Sequence, residues 1–209
     1  MVRLIGEKKT DEARKVASYT VTASAIAALI FSVLVLAFMN PLLRVLGAGD
    51  NTLAYGRQYL LTTTVIGGTP TVLSMSMPQL LRNVGYSKSA GLGVALGSLM
   101  NIALDPLFMF VILPKGNEVL GAGIATALAN FISLAFFVIA FGKVKDKSIL
   151  TIPRRLEKLG TEHKRSFYSV GIPAAVAIFL FDLVTIVINR LLVDYGDIEL
   201  AAMGIVLKA

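Results

Sequence analysis

Five long stretches with almost no charge decide what this sequence can fold into. Three contain no Asp, Glu, Lys or Arg, and two contain a single Asp each; they are residues 16–43, 58–81, 119–142, 89–114 (interrupted by Asp105) and 166–189 (interrupted by Asp182). Each reaches the roughly 20 residues that a helix needs to cross the hydrocarbon core of a membrane. We therefore predict an all-α, polytopic membrane bundle with five full transmembrane helices and the start of a sixth at 198–209.

The distribution of charge supports this class and predicts an orientation. The net charge is +7, which in a soluble protein would suggest nucleic-acid binding. Here 15 Lys and Arg lie in three segments, 1–15, 82–88 and 143–165, whereas the segments on the other side of the predicted membrane hold only four. Because cytoplasmic loops carry the excess of basic residues, we place these three segments in the cytoplasm of a cell-membrane protein and expect no nucleic-acid partner.

The longest polar connector predicts the division of the chain into helical groups. Residues 1–142 would form one group, 143–165 a cytoplasmic connector, and 166–209 the start of a second group. Both ends look cut, so we expect a portion of a longer protein that is inactive by itself. Within the first group the predicted spans follow a cytoplasmic segment at 1–15 and lie at about 16–40, 58–81, 89–113 and 119–142.

Prolines inside the predicted spans are candidate helix kinks. A proline has no N–H to donate, so a carbonyl one turn earlier needs another partner, which in a membrane must be protein or water. The four are Pro70, Pro78, Pro106 and Pro173.

Two carboxylates lie within spans, and these are the first candidates for function. An ionisable group at membrane depth costs several kcal/mol, roughly 2.5–3.5 on insertion scales, so Asp105 and Asp182 are functional hypotheses by default. The alternative is a structural carboxylate that is protonated or hydrogen-bonded to a neighbouring helix. Both lie 17 residues after a basic residue, Lys88 and Arg165 respectively, which predicts similar depth on helices that run in the same direction.

The residues around Asp105 favour a cation or proton site. Small or polar residues recur every fourth position before it, which stacks them along one helix face; they are Ser89, Gly93, Gly97 and Asn101. Asn101 lies one turn before Asp105, and Pro106 leaves the carbonyl of Ile102 without a helical partner. Amide, carboxylate and carbonyl oxygens suit Na⁺, and the carboxylate alone suits a proton.

The next span repeats the spacing. Ala122, Thr126 and Asn130 share a face, and Gly121 and Gly123 allow another helix to approach closely. Thr126 is a candidate hydroxyl ligand and Asn130 a candidate lining residue of a substrate cavity, while a plain packing seam of small residues explains the spacing equally well.

A family resemblance runs through essentially the whole chain and is most specific at residues 80–130. The turn at 82–85, "NIALDP", "GAGIATA", "GIPAA" at the start of the 166–189 stretch, and "LLRVLGAGD" resemble the multidrug and toxic compound extrusion (MATE) transporters. These are twelve-helix antiporters built from two six-helix lobes. The resemblance implies that the five spans are the third to seventh helices and that 198–209 begins the eighth.

The resemblance also implies residue roles. It places Asn101 and Asp105 in a cation or proton site, with Thr126 as the matching residue of the sixth helix and Na⁺ as a candidate ion for the three. A further Asp would lie on a first helix that this chain does not contain. A seventh-helix carboxylate would match Asp182 only with an offset of one residue, since Phe181 stands at the expected position. A shift of one residue rotates a helix position by about 100°.

The implied function is export of lipophilic, often cationic, small molecules in exchange for Na⁺ or H⁺. We expect no cofactor besides that ion, no obligate protein partner, and the bilayer as surroundings. Two alternatives remain at this point. One is a lipid-linked oligosaccharide flippase of the same superfamily. The other is an intramembrane aspartyl protease, because "GAGD" at 47–50 matches GxGD, although Asp50 lies at a different predicted depth from Asp105.

Overall fold

All regular secondary structure in the described part of the chain is helical. A computed structural model describes residues 1–145, 148–150, 159–192, 195–196 and 202–204. Its α-helices are α1 Val2–Gly6, α2 Thr10–Ala37, α3 Met39–Val45, α4 Leu53–Leu60, α5 Gly68–Asn83, α6 Ser87–Pro106, α7 Glu118–Val144 and α8 Thr161–Leu192, and π-helical segments occupy Leu61–Ile66 and Leu107–Ile112.

Four helices within those ranges are long and apolar enough to cross a membrane. They are Thr10–Ala37, Thr161–Leu192, Glu118–Val144 and Ser87–Ile112, the last including the second π-helical segment. The all-α, multi-pass membrane class predicted from the uncharged stretches is therefore confirmed. The predicted start of a further helix at 198–209 lies outside the described residues except for 202–204, which are helical.

The predicted span 58–81 differs from the other four because it is not one regular helix. It runs from α4 through the first π-helical segment into α5, with Gly67 at the junction. Pro70 lies in the first turn of α5, where its missing N–H removes no helical hydrogen bond. Side-chain hydroxyl groups bond to backbone carbonyls of this irregular segment. Thr62 and Thr63 donate to carbonyls of the preceding turn, and Ser32 of α2 donates to the carbonyl of Thr64 at 2.7 Å. Hydroxyl groups thus satisfy carbonyls that a regular ladder would use.

The other three prolines lie inside helices. Pro78 is within α5 and Pro173 within α8, and both helices continue past them. Pro106 is the last residue of α6, directly before the second π-helical segment. A change of helical type therefore coincides with Pro106, while kinks at the other positions stay predictions.

The chain packs into two compact units, residues 1–37 with 58–159, and residues 38–57 with 160–209. The sequence-based domain limits at 142 and 165 stay predictions, and part of that connector lies outside the described residues.

The first unit has its apolar core at one end of the helices. The core side chains come from the start of α2, the end of α5, the start of α6 and the end of α7, together with one residue beyond α7; they are Ala17, Val21, Met77, Leu80, Leu81, Ala90, Phe137, Ala140, Phe141, Val144 and Leu150. Because these helices alternate in direction, the end of α6 and the start of α7 lie at the opposite end. The candidate site lies toward that opposite end, away from the buried core cluster.

Candidate functional site

The face of α6 predicted from the four-residue repeat packs against α7. A side chain at Gly93 would overlap the ring of Phe137, and one at Gly97 would lie 3.0 Å from Cβ of Ser133. Ser133 also donates from its hydroxyl to the carbonyl of Gly93 at 3.2 Å. The glycines therefore serve to bring the two helix backbones together, and this brings polar residues further along both helices within reach of each other.

Asn101 connects the two helices at the polar end of that face. Its Nδ2 donates to Oδ1 of Asp105 at 3.2 Å, one turn along α6, and to Oγ1 of Thr126 on α7 at 3.3 Å. All three side chains are partly buried. The three residues predicted as a cation or proton site thus lie together, with the amide of Asn101 as their common partner.

Asp105 has a neutral partner in this arrangement. Its described hydrogen bond comes from Asn101, and the ion pairs of the described residues join Arg3 and Lys9 to Glu7, and Arg44 to Asp50. An amide donor stabilises a carboxylate but does not neutralise it. The carboxylate can therefore accept a proton or a cation without first losing a basic partner.

Two glycines of α7 close to Thr126 allow close contacts with the two π-helical segments. A side chain at Gly121 would lie 2.8 Å from the carbonyl oxygen of Phe108, in the second π-helical segment, and one at Gly123 would overlap Oγ1 of Thr62, in the first. The close approach predicted for Gly121 and Gly123 is confirmed, and it involves both π-helical segments.

Asn130 lies one turn beyond Thr126 on α7 and belongs to a second polar cluster. Its Nδ2 donates to Oγ1 of Thr71 at 3.0 Å, and Oγ of Ser74 approaches its Oδ1 at 3.4 Å. The sequence analysis did not identify Thr71 and Ser74 as partners of Asn130. The available signal was the clustering of threonines and serines around Pro70.

A cavity of about 480 Å³ adjoins this second cluster. That volume lies within the roughly 300–1,000 Å³ of small-molecule sites. Its lining combines apolar side chains with polar groups and one cation, from Ser74, Met75, Pro78, Gln79, Arg82, Val94, Gly97, Ser98, Asn130 and Ser133. Asn130, predicted to line a substrate cavity, thus lines a cavity of suitable size.

Asp182 lies on α8 in the second unit, exposed, and has no hydrogen bond or ion pair among the described residues. Its assignment to a substrate cavity stays a prediction.

The donor set at Asn101, Asp105 and Thr126 does not resemble a transition-metal site. The described residues contain no group of three or more His, Cys, Asp or Glu that could hold a metal ion. Amide, carboxylate and hydroxyl oxygens are hard ligands, of the kind that Na⁺ takes. In the structure Asn101 presents its N–H groups to the other two residues, so Na⁺ here would need the amide to turn and present Oδ1 instead.

Asp50 differs from Asp105 in its exposure and in its partner, and both differences count against the protease hypothesis. Its carboxylate is 85% exposed and pairs with Arg44 at 2.8 Å. An exposed, ion-paired carboxylate lacks the desolvation that an intramembrane aspartyl dyad requires. The structure gives the GxGD match no support.

Known proteins are similar to this chain over nearly its whole length. The chain is 28% identical over 203 residues to the multidrug export protein MepA of Staphylococcus aureus and 28% identical over 204 residues to MepA of Staphylococcus haemolyticus. Each comparison covers 97% of this chain, which spans 44% of the length of these relatives.

Solved structures show the same fold. An inward-facing multidrug resistance MATE family transporter of the MOP superfamily superposes with a TM-score of 0.85 at 24% identity, over 96% of this chain and 44% of that one. A MATE protein in complex with MaD3S gives a TM-score of 0.79 at 24% identity, over 97% and 45% of the two chains. The family model MatE matches residues 1–107, just over half of the 209 residues. The chain therefore belongs to the MATE family, whose members are transporters and not enzymes.

Proposed function

We propose that this chain forms part of a cation-coupled multidrug efflux antiporter in the cell membrane, with residues 1–15 and 143–165 in the cytoplasm. The observation that carries the proposal is the contact of Asn101 with both Asp105 and Thr126, at 3.2 and 3.3 Å. The multidrug export proteins to which the chain is similar support the substrate class.

The charge of Asp105 supports a coupling role. A carboxylate at membrane depth is costly when ionised, and protonation or a bound cation removes that cost. Because its described partner is a neutral amide, the two states of Asp105 differ in net charge by one unit. An ion gradient can therefore shift the equilibrium between these two states of Asp105 on either side of the membrane. Na⁺ and H⁺ both fit, Na⁺ with the amide of Asn101 turned and H⁺ without that change.

The position of Asn101 suggests how ion binding at Asp105 changes the packing of the helices. Asn101 is the hydrogen-bonded link between α6 and α7 at this end, and the contacts at Gly93 and Gly97 hold the same two helices together further along. A change in the charge of Asp105 alters the best partner for the amide, and therefore favours a different packing of α6 against α7. Alternating access requires such an equilibrium between two packings that the ion and substrate bind unequally.

The 480 Å³ cavity is our candidate for the substrate site of this lobe. Asn130, fixed by Thr71 and Ser74, lies one helical turn from Thr126, so the coupling site and the cavity share α7. Apolar walls with a few oriented polar groups suit lipophilic drugs of varied structure. Asp182 belongs to the second unit and stays a separate candidate for lining a substrate cavity.

The proposal predicts that Asp105→Asn uncouples export. The complete open reading frame that encodes this chain would be expressed in cells without their own efflux pumps, and ethidium efflux would be followed by fluorescence. We expect efflux with the unchanged protein and none with Asp105→Asn at equal expression. Asp50→Asn is the matched control, since it removes an exposed carboxylate that is paired with Arg44, and should export normally.

Full efflux by Asp105→Asn would refute the assignment of the coupling site. Absence of dye efflux by the unchanged protein, with movement of lipid-linked oligosaccharides instead, would favour the flippase of the same superfamily.

A further inference from the structure

Two arginines of the second unit line one cavity that the proposed transport function does not use. The cavity measures about 460 Å³ and is lined by Arg44, Val45, Ala48, Ile186, Val187 and Arg190. It lies between α3 and the last turns of α8. We propose that this cavity binds the phosphate group of an anionic amphiphile at the membrane surface.

The first argument is the scarcity of basic residues on this side of the protein. By the predicted orientation only four lie outside, at positions 44, 57, 115 and 190. Two of the four line this single cavity. Each also lies in the last turn of a helix, where a cation interacts favourably with the helix dipole. The dipole explains a basic residue at each helix end, but it does not explain why the two line the same cavity.

The second argument is an excess of positive charge. Arg44 pairs with Asp50 at 2.8 Å between Nη2 and Oδ1. Arg190 donates from Nη1 to the carbonyl oxygen of Arg44 in a long contact of 3.5 Å, and has no ion pair among the described residues. One guanidinium therefore keeps most of its donors available. Its planar fork matches two oxygens of a phosphate group.

The third argument is the apolar surface that lines the same cavity as these charges. Val45, Ala48, Ile186 and Val187 provide apolar surface, and Val45 and Val187 are 59% and 51% exposed. A free phosphate would leave this surface in water, whereas the first carbons of a lipid chain would cover it. The combination favours an anionic phospholipid over inorganic phosphate as the source of the phosphate group.

The test measures stabilisation of the purified product of the complete open reading frame in detergent. Thermal unfolding would be followed with increasing dioctanoyl phosphatidylglycerol, dioctanoyl phosphatidylcholine or inorganic phosphate. We expect phosphatidylglycerol to raise the unfolding midpoint more than phosphatidylcholine does. Arg190→Gln should raise the half-saturating concentration of phosphatidylglycerol by roughly tenfold or more, because one charge-assisted hydrogen bond to the phosphate is lost.

Three further variants make the result specific. Arg57→Gln is the matched control: it removes another basic residue of the same side, one that donates to Asn40 at 2.5 Å and is absent from the cavity lining, so binding should be unchanged. Arg190→Lys keeps the charge without the fork and should bind with intermediate strength. Ala48→Leu fills the cavity and leaves both arginines, and should weaken binding of the lipid.

The outcomes separate the sources and can overturn the proposal. Equal stabilisation by inorganic phosphate, lost in Arg190→Gln, would identify a site for free phosphate. Stabilisation by phosphatidylglycerol alone would identify the lipid headgroup. Lack of stabilisation by either ligand, or equal weakening by Arg57→Gln and Arg190→Gln, would overturn the proposal.

Discussion

Replacing Gly93 by alanine should separate α6 from α7, and the structure indicates how much stability is lost. The added methyl group would overlap the ring of Phe137 and lie 2.7 Å from Cδ1 of Phe136. Phe137 is fully buried, and its ring stands edge-on to that of Phe136 with centroids 5.7 Å apart. Because Phe137 has no exposed surface, we expect the ring to be relieved only by a shift of its packing or of the two helices.

The change in the free energy of unfolding of Gly93→Ala is the balance of two opposing effects. Inserting a methyl group into a filled core costs about 1–3 kcal/mol, while alanine is favoured over glycine inside a helix by roughly 0.5–1 kcal/mol. Gly91 provides a matched control on the same helix, because a side chain there would meet nothing within 4 Å. The preference of a helix for alanine over glycine applies equally to both variants. The free energy of unfolding of Gly93→Ala should therefore lie about 1–3 kcal/mol below that of Gly91→Ala.

The assay is reversible unfolding of the purified protein in mixed micelles with increasing dodecyl sulfate, followed by helical circular dichroism. Gly91→Ala should unfold at the same or a higher detergent fraction than the unchanged protein, and Gly93→Ala at a lower one. Equal stability of the two alanine variants would refute the close contact between α6 and α7, and with it the argument that glycines bring Asn101 to Thr126.

The remaining predictions concern other contacts of the first unit. Gly121→Ala places a methyl group 2.8 Å from a backbone oxygen of the second π-helical segment, whereas Gly142→Ala on the same helix meets nothing within 4 Å, so in the same assay only Gly121→Ala should destabilise, by about 1–3 kcal/mol. Asn130→Ala removes the hydrogen bonds to α5 and should cost about 0.6 kcal/mol for each bond lost; no change in unfolding would contradict the cluster. The pKa of Glu7 is lowered from 4.5 to about 2, chiefly by the hydrogen bond from Arg3. The contribution of the ionised Glu7 carboxylate to folding stability is therefore complete above pH 4.5 and is lost as the pH falls through about 2. Carbon-13 titration of Glu7 checks this value, and an ordinary pKa would contradict the contact.

The face of α6 was predictable because its signal is local. Small residues at every fourth position share one side of a regular helix, and α6 is regular from Ser87 to Pro106. That regularity places Gly93, Gly97 and Asn101 on one face, and the structure shows that this face packs against α7.

The polar partners of Asn130 were not predictable for a physical reason. Each π-turn adds one residue to a turn of helix, and one residue rotates the following positions by about 100°. The first π-helical segment lies at Leu61–Ile66, before Thr71 and Ser74, so the side of α5 that faces α7 cannot be followed through it by counting. Hydrophobicity does not reveal the segment either, since an apolar run is compatible with both helical types. Prolines and clustered threonines were the only local signs.

The central claim is that Asp105 couples export to an ion gradient, and transport in proteoliposomes tests it most directly. The purified product of the complete open reading frame would be reconstituted, and ethidium accumulation measured under an imposed gradient of Na⁺ or of H⁺. The unchanged protein should accumulate ethidium in response to at least one gradient. Asp105→Asn should respond to neither while still exchanging labelled for unlabelled ethidium. Gradient-driven accumulation by Asp105→Asn at the rate of the unchanged protein would contradict the account.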